Sequence, residues 1–230
     1  MKSNIKKKLR SYSLINYLLS IKNRIESRYL SKKRAHYIPQ IRNLIPEGAS
    51  IISSNCFAGR ILQDLDLEYN TPTLGLYFMY PDYIEFLSNL EYYLNEARIS
   101  FVETSKYPLG TERRKSWSHW YPIGLLDGKV EIHFLHYHTE QEAAEKWYRR
   151  ASRVNFSNLI IIGMEQNLCS IEDIVNFDKL PYKHKYIFSS KNLPHIASNI
   201  FMKEFKSKNE VGDAYKKGHI FYKYLSKLMK

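Results

Sequence analysis

The sequence predicts an α/β fold: a layered sheet of mixed or mainly parallel strands flanked by helices, with a basic helical arm at the N-terminus. Three observations lead there. Short apolar runs at 49–53, 99–103 and 158–164 alternate with stretches of helical character, the pattern of strand–helix–strand units. A helical apolar repeat occupies the N-terminal segment, and Pro39, Pro46 and Gly48 then punctuate the chain. No internal repeat or long low-complexity linker divides the remaining residues, so 1–46 read as an arm and 47–230 as a single α/β domain.

In the arm, Leu14, Leu18, Ile21, Ile25 and Tyr29 recur at spacings of three and four and share one helical stripe. Lys22, Arg24 and Arg28 flank or oppose it, and Lys6, Lys7, Lys8, Arg10, Lys32, Lys33 and Arg34 bracket it. Such a helix suits an anionic membrane surface. It also suits docking on the body with its basic face in water, or, as a third reading, contact with nucleic acid.

The body opens with a strand over 49–53 that runs into Asn55-Cys56 and a helix over 57–65. A second strand is expected over 73–79. Pro81 suits the first turn of a helix over 82–97, and a third strand comes next, over 99–103. Residues 105–119, with Arg113, Arg114 and Lys115, read as a polar basic loop. Strands over 121–126 and 130–137 are joined by the tight-turn pair Asp127-Gly128. Thr139, with Glu142 three positions on, forms a capping-box signal for a helix running to about residue 153. A buried strand over 158–164, a helix opened by Ser170 with Asp173 three positions on, a last strand over 186–188 and a basic helix over 215–229 complete the chain.

The net charge of +12 is uneven: +11 over residues 1–46, −8 over 47–145 and +9 over 146–230. The acidic middle argues against a body built to bind nucleic acid. No apolar run approaches the ~20 residues that span a bilayer, and the N-terminus lacks a secretory pattern. The expectation is a cytoplasmic protein, soluble or peripheral on the inner face of the membrane, with Cys56 and Cys169 as free thiols.

Three constellations can carry chemistry. The first is Ser53-Ser54-Asn55-Cys56-Phe57-Ala58-Gly59-Arg60, a strand-to-helix turn. A helix N-terminus lowers the pKa of a nearby thiol, and Asn55 with free backbone N–H groups can hold an oxyanion or phosphate; a helix cap and a small buried cysteine are the structural alternatives. The second runs from Glu131 to His138. On a strand His136 and His138 share one face, Glu131 and His133 the other. Either face offers a general base or a hydrogen-bonded core histidine, and with no third ligand at a recognised spacing no metal is assigned. The third is the stripe Lys146, Arg149, Arg150 and Arg153, a guanidinium-rich clamp suited to a diphosphate or cations placed at a helix C-terminus.

Four segments, I-I-S-S-N-C-F-A-G-R, Y-N-T-P-T-L-G-L-Y-F, E-I-H-F-L-H-Y and E-A-A-E-K-W-Y-R-R-A-S-R-V-N, succeed one another in an order that resembles the bacterial DUF1919 family, whose members are usually labelled exopolysaccharide biosynthesis protein. The resemblance covers about residues 48–190. The common family form at the first segment is Asn-Asn-Cys followed by Trp-Gly-Gly; Ser54 and Phe57-Ala58 depart from it, whereas Asn55, Cys56 and Gly59 match.

The resemblance implies a part in surface-polysaccharide assembly and leaves the reaction open. The first expectation is a transferase, foremost a glycosyltransferase. It would hold an anionic nucleotide-sugar donor on Asn55, Gly59, Lys146, Arg149, Arg150 and Arg153 and serve a lipid-linked or polysaccharide acceptor. A second is an acyltransferase or hydrolase with Cys56 as nucleophile and His133 or His136 as base. A third is a non-catalytic carbohydrate-binding or scaffold subunit. No cofactor is assigned, and the Asp-x-Asp spacing of Asp64-Leu65-Asp66 falls at a predicted helix end. The cleft is expected where the Asn55-Cys56 turn meets the histidine strand and the 146–153 helix.

Overall fold

The computed structural model describes residues 2–228, with side chains from residue 16 onward. Lys6, Lys7, Lys8, Arg10 and Leu14 of the predicted arm therefore lie outside the described side chains. The arm is a helix, α1 (Lys2–Ala35), followed by the short α2 (Ile38–Leu44), which has proline in its first turn. The far part of α1 leaves Leu18, Ile21, Ile25 and Tyr29 exposed, while its last turn docks on the body through buried Arg34. No described helix is long and apolar enough to cross a membrane.

The body begins with β1 (Ser50–Ser53) and α3 (Phe57–Asp64). The strand expected over 73–79 does not form. Pro72 cannot donate to a ladder, and Gly75 at φ 69° turns the chain, so only Tyr77 pairs, in an isolated bridge to His133. The helix expected over 82–97 is two helices, α4 (Tyr80–Ser88) and α5 (Leu90–Asn95), broken at Asn89 (φ −133°, ψ 40°). After β2 (Ile99–Val102), the predicted basic loop is a helix, α6 (Pro108–Ser116). It buries little beyond Gly110, so it has no apolar stripe to betray it.

Asp127 and Gly128, both at positive φ, turn β3 (Ile123–Leu126) back into β4 (Val130–His133). In α7 (Glu140–Ala151), Thr139 Oγ1 accepts the Glu142 N–H at 3.1 Å. β5 (Leu159–Met164) leads to α8 (Ile171–Lys179), where Ser170 and Asp173 form the full capping box. The strand expected over 186–188 is the longer β6 (His184–Ser189), and a further strand, β7 (Asn199–Phe201), precedes α9 (Gly218–Leu225).

Two sheets result. The parallel sheet has the order β1-β5-β6-β7, and the antiparallel one runs β2-β3-β4. The parallel strands are apolar at successive positions because both faces are covered. Ile52, Ile161 and Ile187 face a core with Phe78, Phe86, Phe134 and Trp147. Ile51, Ile160, Ile162 and Phe188 face another, with Phe57, Phe205 and Phe221. Burying such side chains stabilises by roughly 1.5–3 kcal/mol each, which fixes the positions of the loops at the carboxyl edge. Cys56 and Cys169 are both free.

Candidate functional site

At the carboxyl edge of the parallel sheet, the turns after β1 and β5 line a cleft of about 850 Å³. This edge, where strands end and helices begin, is where open α/β sheets bind ligands. The floor is stitched by side chains. Ser53 Oγ accepts the Ala58 N–H and Asn55 Oδ1 the Phe57 N–H, each at 3.0 Å, so two orphan donors of α3 are satisfied locally. Asn55 Nδ2 donates to Gln166 Oε1 at 2.9 Å, and Gln166 Nε2 donates to Val211 O and Gly212 O. The Asn55 amide therefore ties three segments together and is committed to the scaffold. Gly59 also lines the cleft, and it has a packing reason to be glycine: a Cβ there would stand 2.7 Å from Leu74 Cδ2.

Cys56 lies in the same wall, its Sγ 3.4 Å from Leu76 O. Burial pushes its thiol up to about 11, and the backbone bonds that favour the thiolate only partly offset this. The lowering expected from the helix N-terminus is thus overturned by desolvation.

The histidines separate. β4 ends at His133, and residues 134–138 leave the sheet, so strand alternation does not apply to His136 and His138. His133 is fully buried behind the cleft-lining Tyr77, its ring stacked on that tyrosine at 4.4 Å; its Nε2 lies 2.8 Å from Glu131 Oε1, a close contact whose angle does not make a hydrogen bond. Burial raises the Glu131 carboxyl, but contacts from His133, Ser105 and the Lys106 N–H outweigh it and leave the group below its ordinary value. His136 lines the cleft, and burial, with His119 nearby, lowers its pKa and favours the neutral imidazole. His138 instead packs near His119, with ring centroids 5.6 Å apart.

The α7 stripe also divides. Lys146 pairs with Glu142 at 2.5 Å and Arg153 with Glu68 at 3.2 Å, while Arg149 is exposed. Arg150 alone of the four turns into the cleft, where Nη1 donates to Tyr137 Oη at 2.5 Å. Two arginines from outside the stripe join it. Arg113 on α6 donates to Asn167 Oδ1 at 2.7 Å and lies 4.9 Å over the Tyr77 ring. Arg60 on α3 lies 3.8 Å over the Tyr215 ring. Among the described residues, these three arginines make one ion-pair contact with a carboxylate, a long one of 3.9 Å from Arg60 Nη1 to Asp64 Oδ1.

Tyr69, Tyr77, Trp117 and Tyr215 supply aromatic faces to the cleft, and Glu210 and Asp213 supply its carboxylates. Glu210 accepts the Asn167 N–H, and Asp213 Oδ1 accepts those of Tyr215 and Lys216. Arg60 closes the first motif and Arg113 stands in a run of three cations, so both carry a signal in the sequence; Glu210 and Asp213 carry none. Among the described residues, no group of three or more His, Cys, Asp or Glu converges as a metal site. In Asp64-Leu65-Asp66, Asp64 is held by Arg34 and Tyr222, and Asp66 is exposed with a backbone φ of 53°.

Fold and cleft together define an α/β protein with a cationic, aromatic-lined cleft at the carboxyl edge of a parallel sheet. The chain belongs to the family described as "Domain of unknown function (DUF1919)", which it matches over residues 27–230. The match takes in the end of the arm and the C-terminal tail, both beyond the span of the four motifs. The chain is also similar to a Haemophilus influenzae protein described as an uncharacterized protein, at 38% identity over 174 residues, 76% of this chain and 77% of that one.

Proposed function

We propose that this protein is a transferase of bacterial surface-polysaccharide assembly, of glycosyltransferase type, working at the inner face of the membrane. The observation that carries the reading is the convergence of Arg60, Arg113 and Arg150, from three different helices, on one cleft with a single long carboxylate contact between them. Guanidinium groups recognise phosphate oxygens in pairs. Cations held without anions are costly unless a ligand completes them. The aromatic faces of Tyr69, Trp117 and Tyr215 suit a base or a sugar ring, and Glu210 or Asp213 suits the deprotonation of an acceptor hydroxyl. The exposed stripe and basic residues of α1 support a place beside an anionic bilayer, where a lipid-linked acceptor lies.

A second reading, acyl transfer through Cys56, draws on the presence of Cys56 and His136 in the same cleft. The raised thiol weighs against it. A thermal-shift screen of nucleotide sugars against acyl-CoA thioesters separates the two. Stabilisation by the nucleotide sugars supports glycosyl transfer, and stabilisation by the thioesters alone overturns it.

A further inference from the structure

We propose that Arg34, the residue that docks the arm, keeps Arg60 available to an anion in the cleft by holding the carboxylate that both arginines can reach. This rests on the reading of the cleft as an anion site and names how that site is regulated. Arg60 and Asp64 stand four residues apart on α3, a spacing at which opposite charges pair. They remain 3.9 Å apart because Asp64 is already engaged. Arg34 Nε lies 2.8 Å from its Oδ2, and Tyr222 Oη donates to the same oxygen at 2.9 Å. The side chains of Arg34 and Asp64 are only 9% and 14% exposed, so this pair is shielded from competing water. The start of α9 accommodates it: a Cβ on Gly218 would meet Arg34 Cδ at 2.9 Å.

Arg60 is left in an unusual state. Its side chain is 10% exposed, and its Nε is buried without a partner. Nη1 donates to the neutral Gln63 Oε1 at 3.1 Å, and the guanidinium rests on the Tyr215 ring in the cleft wall. A cation held this way is ready for a phosphate or diphosphate group entering the cleft. With Arg34 withdrawn, Asp64 keeps only the neutral Tyr222 hydroxyl on Oδ2 and loses its close cationic partner, so its charge is available to close on Arg60 and neutralise it. Arg34 ends the helix that carries the exposed apolar stripe, so the docking of the arm and the charge of the cleft are linked through one carboxylate.

The test titrates inorganic pyrophosphate into the full chain and tracks the side-chain Nε–H resonance of Arg60 by NMR, assigned with Arg60→Lys. Arg34→Ala is expected to weaken binding by about tenfold or more, the loss of one charge-assisted contact, and to shift the Arg60 resonance. Adding Asp64→Asn is expected to restore both. Loss without restoration makes Arg34 a scaffold residue and overturns the proposal, as does an Arg34→Ala chain that binds normally with the resonance unmoved. In either case wild-type binding survives, which separates this failure from that of the anion reading, where the wild type itself does not bind and both fall. Should Arg34→Ala not fold, Asp64→Asn alone decides: binding at least as tight as wild type supports the proposal, and weaker binding overturns it.

Discussion

His133 stands with Nε2 2.8 Å from Glu131 Oε1, both side chains sealed from solvent, and its ring is stacked behind the cleft-lining Tyr77. Gly110 of α6 closes over them, close enough that a Cβ there would lie 2.8 Å from His133 Cε1. The pair is a structural unit within reach of Ser105, Lys106 N and Tyr121.

Replacing His133 with leucine is therefore expected to destabilise the fold by about 1–3 kcal/mol, because the buried Glu131 carboxylate loses one of its polar contacts and keeps those from Ser105 and the Lys106 N–H. Urea unfolding measures this. A His133→Leu chain of normal stability with defective ligand binding would return the histidine to the site.

The Cys56 thiol, pushed up to about 11, gives a pH signature. Alkylation of the native protein is expected to be slow at neutral pH and to go on rising with pH up to about 11, whereas an ordinary thiol levels off above about 8.5. The fold favours the neutral thiol, and this sets the sign for stability. That contribution is fully present below the unfolded thiol pKa of about 8.5 and is lost as pH rises through the folded value. Fast labelling of Cys56 at neutral pH, measured by mass spectrometry, contradicts this and revives the nucleophile reading.

The arm makes an independent prediction. Tyr17, Leu18, Ile21, Ile25 and Tyr29 are exposed on a helix whose flanks are cationic. Co-sedimentation with anionic vesicles is expected, weakening as salt shortens the screening length to ~10 Å at 0.1 M and below, and Ile25→Asp should reduce it. Equal binding to neutral vesicles removes the electrostatic argument.

Much of the fold was legible because it is locally written. The apolar runs of β1 and β5, the Asp127-Gly128 turn and the caps at Thr139 and Ser170 are short-range signals with one structural answer. What failed was tertiary. Residues 73–79 have strand composition, but Gly75 and the approach of His136 bend them out of a ladder. α6 is hidden in the sequence because it buries little beyond Gly110 and so shows no apolar stripe; of its residues Arg113 lines the cleft.

The geometry of the cleft was legible in outline and not in its lining. The meeting of the Asn55-Cys56 turn with His136 and Arg150 came from the logic of sheet edges. Which cation of 146–153 faces inward did not, since helical spacing groups four residues that Glu142 and Glu68 then divide. Arg60 and Arg113 enter through side-chain direction, and Glu210 and Asp213 through a long-range return of the chain, which no local pattern encodes.

The central claim, that the cleft holds a diphosphate-bearing donor, is tested most directly by calorimetric titration of UDP and uridine into the intact protein. UDP is expected to bind at least about tenfold more tightly than uridine, since each charge-assisted bond to phosphate contributes roughly 1.5–3 kcal/mol. Arg113→Ala and Arg150→Ala should each remove most of that difference with little change in Tm, while Arg149→Ala, one residue away and facing solvent, leaves it intact. Equal binding of UDP and uridine, no binding of either, or a UDP affinity indifferent to Arg113 and Arg150 would contradict the account.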